Sequence, residues 1–240
     1  VLPVNRRGIF FGVSEGLGAL MGIIGALLFV EPILDDWSFP NNYVVLFTIA
    51  FVFTAISWVG LALNREPESP IVKEQIPVSQ YLSQLPKILR ENHNYRRFLI
   101  GYNVSKLGAM STGFFLVFGN DSFDLTGSQV GILTAILIGS QAVLNPIWGI
   151  AGDRLGHKAV LTGSALALTL AALTAVFATS MTCLIIAFIL LGVGLAGDNV
   201  SKFSIVLEFC EPEDHPTYIG LTNTILAPVV TLAPILGGIL

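Results

Sequence analysis

The 240-residue chain has a formal net charge of −4, yet only 12% of its residues are charged, 53% are hydrophobic and the mean hydropathy is +0.77. A soluble domain averages about 25% charged residues, so the composition excludes an ordinary water-soluble fold and places most of the chain in lipid. Cys183 and Cys210 lack the spacing of a disulfide framework or a zinc site, and His93, His157 and His215 are scattered, so neither a metal nor a cofactor is expected.

Arg6 and Arg7 precede the first apolar run, Gly8 to Val30. It is long enough to cross a hydrocarbon core of roughly 30 Å as a helix. No small-residue cleavage site follows, which excludes a signal peptide. Gly12, Gly16, Gly18, Gly22 and Gly25 give it small-xxx-small faces. Glu15 lies about two turns in, where it is interfacial or pairs with a loop base. The second run is Tyr43 to Leu63. Asn64 to Asn94 then reads as a polar linker with Pro67, Pro70, Pro77 and Pro86. Inside it, Val78, Tyr81, Leu82, Leu85, Ile88 and Leu89 recur at helical spacing, with Lys87 and Arg90 off the stripe. The spacing predicts a short amphipathic helix lying on the membrane surface, or alternatively docking a partner.

The third run, Phe98 to Phe118, carries Lys106 roughly 12 Å deep at helical rise, with Asn103 about one turn before it. The fourth, Val130 to Ala151, contains Gly131 and Gly139. The fifth is Ala159 to Thr179. The sixth, Thr182 to about Leu207, carries Asp198, Asn199 and Lys202. The seventh, Tyr218 to Leu240, contains Asn223, read as a helix–helix hydrogen-bonding residue, and Pro228 and Pro234, which should kink it. All seven should be helical, because a helix satisfies its own backbone groups in lipid.

Lys and Arg set the orientation. The loops on the side of Arg6 and Arg7 also hold Arg65, Lys73, Lys87, Arg90, Arg96, Arg97, Arg154 and Lys158. The opposite loops hold none, so the first side is cytoplasmic and the strict alternation supports seven spans. A weak internal echo links Arg7-Gly-Ile-Phe-Phe-Gly12 to His215-Pro-Thr-Tyr-Ile-Gly220, each leading into a span from that side. Transporters built of repeated halves show such self-similarity.

Between the fourth and fifth runs the sequence is Gly149-Ile-Ala-Gly152-Asp153-Arg154-Leu-Gly156-His157-Lys158. A positive-inside loop with turn glycines would explain Arg154 and Lys158 but not Asp153 at this spacing. The loop resembles the cytoplasmic signature of the major facilitator superfamily, which runs Gly, Asp-Arg, one residue, Gly and two basic residues. The resemblance implies an all-α polytopic helix bundle with seven of an expected twelve transmembrane helices. Residues 1–63 would be the last two helices of an N-terminal half, 64–96 the central cytoplasmic linker, and 97–240 the first five helices of a C-terminal half. Val1 is not an initiator Met and Leu240 lies within an apolar run, so the chain is expected to be a fragment.

Asp153 can be read from elementary electrostatics, since a carboxylate just past a helix end can bind the positive N-terminus of a neighbouring helix. The resemblance names that helix as the first span, near Gly8 to Gly12. It pairs Arg154 and Lys158 with Glu208 at the end of the sixth span, leaves the turn to Gly152 and Gly156, and completes the switch loop with Gly149 and His157. Gly12, Gly16, Gly18, Gly22, Gly131 and Gly139 would line the contact between halves. Charged groups inside a bilayer are functional candidates by default. Asn103, Lys106, Asp198, Asn199, Lys202 and Glu15 are therefore the candidate substrate or ion pathway. Asp198 and Lys202 stand at i, i+4 and can instead neutralise each other. Lys106 has no such acid and either faces water or pairs across helices.

The implied function is secondary transport of a small solute by alternating access, with or without a coupling proton or ion. The alternative is a transporter-like receptor or non-transporting scaffold. No GxSxG, HExxH or His-rich helix supports a membrane enzyme. The expected partners are lipid and solute, with no nucleic acid. The expected location is the plasma (inner) membrane, and the intact protein is expected to be monomeric.

Overall fold

The computed structural model describes residues 6–65 and 78–239; the linker positions between them, including Pro67, Pro70, Lys73 and Pro77, lie outside the described residues. The described chain is helical, without strands, in the order α1 (Arg7–Gly25), a π-helical stretch (Ala26–Val30), α2 (Glu31–Asp36), α3 (Asn41–Ala62), α4 (Val78–Glu91), α5 (His93–Gly108), a 3₁₀ stretch (Ala109–Phe114), α6 (Phe115–Phe123), α7 (Gly127–Leu155), α8 (His157–Val176), α9 (Met181–Leu207), a 3₁₀ turn (Pro212–Asp214) and α10 (His215–Ile239). Among the described residues, six helical segments are long and apolar enough to cross a membrane. They make the protein an all-α integral membrane bundle.

The run from Phe98 to Phe118 departs from the expected straight span. It is built of α5, the 3₁₀ stretch and α6 in direct succession. Gly108 and Gly113 bracket Ser111 and Thr112 there, and all four are weaker helix formers than Leu or Ala. Lys106 sits in the last turn of α5, just before this change of helix type.

The described residues form two compact units, 6–19 with 78–239, and 20–65. In the smaller unit, Phe29 and Phe53 meet edge to face. The core of the larger unit lies between α7, α8 and α9. Gly192, Gly194 and Gly197 let α9 approach its neighbours: a Cβ at Gly194 would sit 2.5 Å from the Leu168 side chain, and one at Gly192 2.6 Å from Ser140. Two polar side chains lock this contact. Trp148 Nε1 donates to the Val193 carbonyl at 2.9 Å, and the Ser164 hydroxyl donates to that of Gly194. Leu133, Leu184, Ala187 and Phe188 fill the space between. The helix starts are specified locally. Thr126 and Gln129 form a capping box at α7, and Ser180 caps α9.

A second core gathers Tyr95, Leu99, Ile205, Val206, Tyr218 and Leu221 where α5, α9 and α10 meet. The stripe of α4 packs onto it through Leu85, Ile88 and Leu89. The helix predicted from spacing is present, and the described part of its apolar face is partly buried against this core. Nothing is described of the Val78, Tyr81 and Leu82 side chains. Asn92 joins the pieces: its Oδ1 accepts from the Tyr95 amide at 3.0 Å, and its Nδ2 donates to the Phe209 carbonyl at 3.0 Å. Tyr95 Oη donates to the Tyr218 carbonyl at 3.1 Å and lies 2.8 Å from the Thr222 hydroxyl.

Candidate functional site: a helix-terminus latch and a buried ion pair

Asp153 lies in the last turn of α7, and its carboxylate reaches the start of α1. Oδ1 accepts from the Gly8 amide and Oδ2 from the Ile9 amide, both at 2.8 Å, across 145 and 144 residues of chain. The first amides of a helix have no partner within it and carry its positive dipole end. A carboxylate there satisfies two orphan donors at once. The helices come close enough because no side chain intervenes. A Cβ at Gly149 would collide with the Gly8 carbonyl, and one at Gly12 with the Asn145 carbonyl. One at Gly16 would sit 3.0 Å from the Ala142 carbonyl.

The contact face is therefore Gly8, Gly12 and Gly16 against Ala142, Asn145, Pro146 and Gly149. Gly18, Gly22, Gly131 and Gly139, assigned to the same seam from spacing, do not build it: a Cβ at any of them meets nothing within 4 Å. Steps of four residues keep to one helix face; Gly18 lies off the face of Gly8, Gly12 and Gly16, and Gly22 stands more than a turn beyond Gly16 along α1.

The rest of the loop divides. Gly156 makes the turn at φ +88°, a conformation that favours glycine. Gly152 is helical, and its bare Cα instead admits the His157 ring, whose Nδ1 would lie 2.8 Å from a Cβ there. His157 is buried, with Nδ1 3.1 Å from the Ser201 hydroxyl on α9. Arg154 and Lys158 are exposed, and among the described residues no ion pair joins either to Glu208. Consecutive helical residues diverge by about 100°, so Arg154 turns away when Asp153 faces α1. Glu208 stands at the rim of a cavity of about 460 Å³, lined also by Arg7, Asp153, His157, Ser204 and His215. Partial desolvation raises its carboxyl above the ordinary range, and the His157 backbone N–H draws it part of the way back. The Ser204 hydroxyl on the same wall is buried without a hydrogen-bond partner among the described residues.

The second constellation lies between α5, α9 and α10. Lys106 Nζ and Asp198 Oδ2 are 2.6 Å apart, with side chains 23% and 12% exposed. Tyr102 Oη donates to the other oxygen, Oδ1, at 2.9 Å. The ammonium of Lys106 also lies 5.0 Å from the centre of the Tyr102 ring. Asp198 thus pairs across helices, not with Lys202 one turn along its own. Lys202 turns to the Phe203 ring, 5.2 Å from its centre.

Lys106 and Lys202 line one cavity of about 290 Å³ together with Tyr102, Thr222 and Asn223. Asn103 donates to the Leu99 carbonyl of its own helix at 2.8 Å, and Asn103, Asn199 and Glu15 are not part of the cavity wall. Tyr102 and Thr222 were not singled out from the sequence. Tyr102 stands one turn before Lys106, and that spacing was the available signal. Among the described residues no group of His, Cys, Asp and Glu is arranged to hold a metal ion.

The profile of the Major Facilitator Superfamily matches residues 98–240, which include the latch loop, Lys106 and Asp198. An uncharacterised MFS-type transporter of Mycobacterium tuberculosis, in strains CDC 1551 and H37Rv, is 29% identical over 113 residues. The match covers 47% of this chain and 16% of that protein's length. No solved structure matches.

Proposed function

Because the chain belongs to the Major Facilitator Superfamily, we propose that it acts within a secondary transporter that moves a small solute across a bilayer by alternating access. The supporting observation is the latch, in which the Asp153 carboxylate bridges the Gly8 and Ile9 amides at 2.8 Å. Its cost of breaking is of the size that a conformational cycle requires: a charge at a helix N-terminus contributes about 0.3–2 kcal/mol, depending on burial. The Gly8, Gly12 and Gly149 seam lets α1 slide or tilt against α7 without unlocking side chains. Closing the seam shuts the side of the membrane on which Arg154 and Lys158 lie, and the charge distribution makes that side cytoplasmic. In this reading the spans take the register of helices five to eleven of a twelve-helix protein. Residues 64–96 join the two halves. Lys106 and Asp198 face the central solute path.

The test uses protein expressed from the complete reading frame, purified and reconstituted in liposomes. Uptake is measured over a panel of labelled solutes, with and without an imposed pH gradient. Uptake of at least one solute class is expected, falling about tenfold or more in Asp153→Asn. A folded, monodisperse protein that moves none of them overturns the proposal and leaves a receptor or scaffold. Flux that ignores Asp153→Asn removes the latch from the mechanism.

A further inference from the structure

The cavity between α5, α9 and α10 has an uncompensated positive wall. Its lining includes two ammonium groups, Lys106 and Lys202, and no carboxylate. The nearest acid, Asp198, stands behind Lys106, 9% exposed, with its two oxygens occupied by Lys106 and Tyr102. Lys202 has no acidic partner among the described residues and is held only over the Phe203 ring. Asn223 opens into the same space, and its amide makes no hydrogen bond among the described residues. Tyr102 and Thr222 also line it, their hydroxyls engaged with Asp198 and Tyr95, and the remaining six residues, from Phe203 to Val230, are apolar, so the surface is mainly apolar.

A charge in a membrane interior is expensive unless it is paired. Among the described residues Lys106 is paired and Lys202 is not. From this juxtaposition we infer that the cavity binds a small organic carboxylate with an apolar body. Lys202 receives the carboxylate and Asn223 donates a second hydrogen bond to it. The apolar wall holds the body. Lys106 stays tied to Asp198, so the cavity carries one net positive charge and selects a monoanion. A neutral analogue would leave Lys202 unpaired, and a cation would meet like charge with no carboxylate to receive it. This assignment rests on the transport reading only for its physiological meaning, because binding can be measured without flux.

The experiment titrates the intact protein in nanodiscs with three carboxylates, acetate, butyrate and benzoate, each against its amide and its amine. Butyrate or benzoate should bind, with the matching amide and amine at least about tenfold weaker, as expected for loss of a charge-assisted hydrogen bond. Lys202→Gln should remove that preference for the carboxylate over the amide. Lys202→Arg should retain it. Equal or tighter binding of amide or amine, no binding of any carboxylate, or carboxylate binding indifferent to Lys202→Gln each overturns the inference. Lys202-dependent carboxylate binding without uptake keeps the site and refutes transport. Uptake confined to neutral or cationic solutes does the reverse.

Discussion

Replacing Asp153 with Asn tests the latch most directly, because the side chain keeps its shape and loses its charge. Both carboxylate oxygens are in use, one on each of two amides at 2.8 Å. Asparagine offers one oxygen, and its NH₂ group would face the second amide donor to donor. A hydrogen bond to a charged group contributes about 1.5–3 kcal/mol net, and the charge–dipole part about 0.3–2 kcal/mol. These overlap, so the closed seam should lose roughly 2–3 kcal/mol, a shift of about 30- to 150-fold toward the open form. Spin labels at Phe10 and Leu155, 48% and 74% exposed, report the separation of α1 and the α7 end by pulsed electron resonance. The native protein should give mainly a short distance, and Asp153→Asn a larger population of long ones. Gly8→Ala should open the same seam by steric means, since its Cβ would lie 2.6 Å from the Gly149 carbonyl and 2.8 Å from Asp153 Oδ1. Thermal melts of both variants separate opening from unfolding. Superimposable distance distributions in all three well-folded proteins would refute the latch.

The seam glycines should differ sharply from the others on α1. Gly12→Val should destabilise the detergent-solubilised protein by about 1–3 kcal/mol, the usual cost of overpacking, while Gly18→Val, which meets open space, should stay within about 0.5 kcal/mol of native. Similar melts for the two variants would contradict the packing. For the ion pair, Asp198→Asn should cost about 2–4 kcal/mol, between the exposed and fully buried limits, and adding Lys106→Gln should recover part of it. An additive double-mutant cycle would mean that the 2.6 Å contact contributes no coupling. Burial pushes the Cys210 thiol up to about 11, with Asp214 adding to the effect. The thiol should therefore stay protonated through the physiological range. In a Cys183→Ser background, its maleimide labelling rate should climb about tenfold per pH unit past pH 9, because only the thiolate reacts. A plateau near pH 9 would show an ordinary, solvated thiol.

Most of the fold was legible because lipid leaves few choices. A long uncharged run must become a helix. The target of Asp153 was implied by the resemblance of its loop; electrostatics alone asks only for a neighbouring helix N-terminus and does not say which one. The face of a helix was harder to read. Glycines on α1 offer more than one four-residue series, and the sequence contains nothing that says which one meets α7; the structure selects Gly8, Gly12 and Gly16. Asp198 shows the same limit with larger consequences. Its i, i+4 neighbour Lys202 was the pairing that spacing suggested, but a partner 92 residues away competes for the carboxylate at 2.6 Å. Local spacing cannot weigh a cross-helix contact whose geometry is set by the packing of α5 against α9 and α10. That exchange of partners leaves Lys202 on the cavity wall without an acid, a charge pattern that composition alone would have averaged away. The 3₁₀ stretch after Lys106 belongs to the same region, so the least regular helix of the larger unit is also the one that brings a lysine to the buried acid.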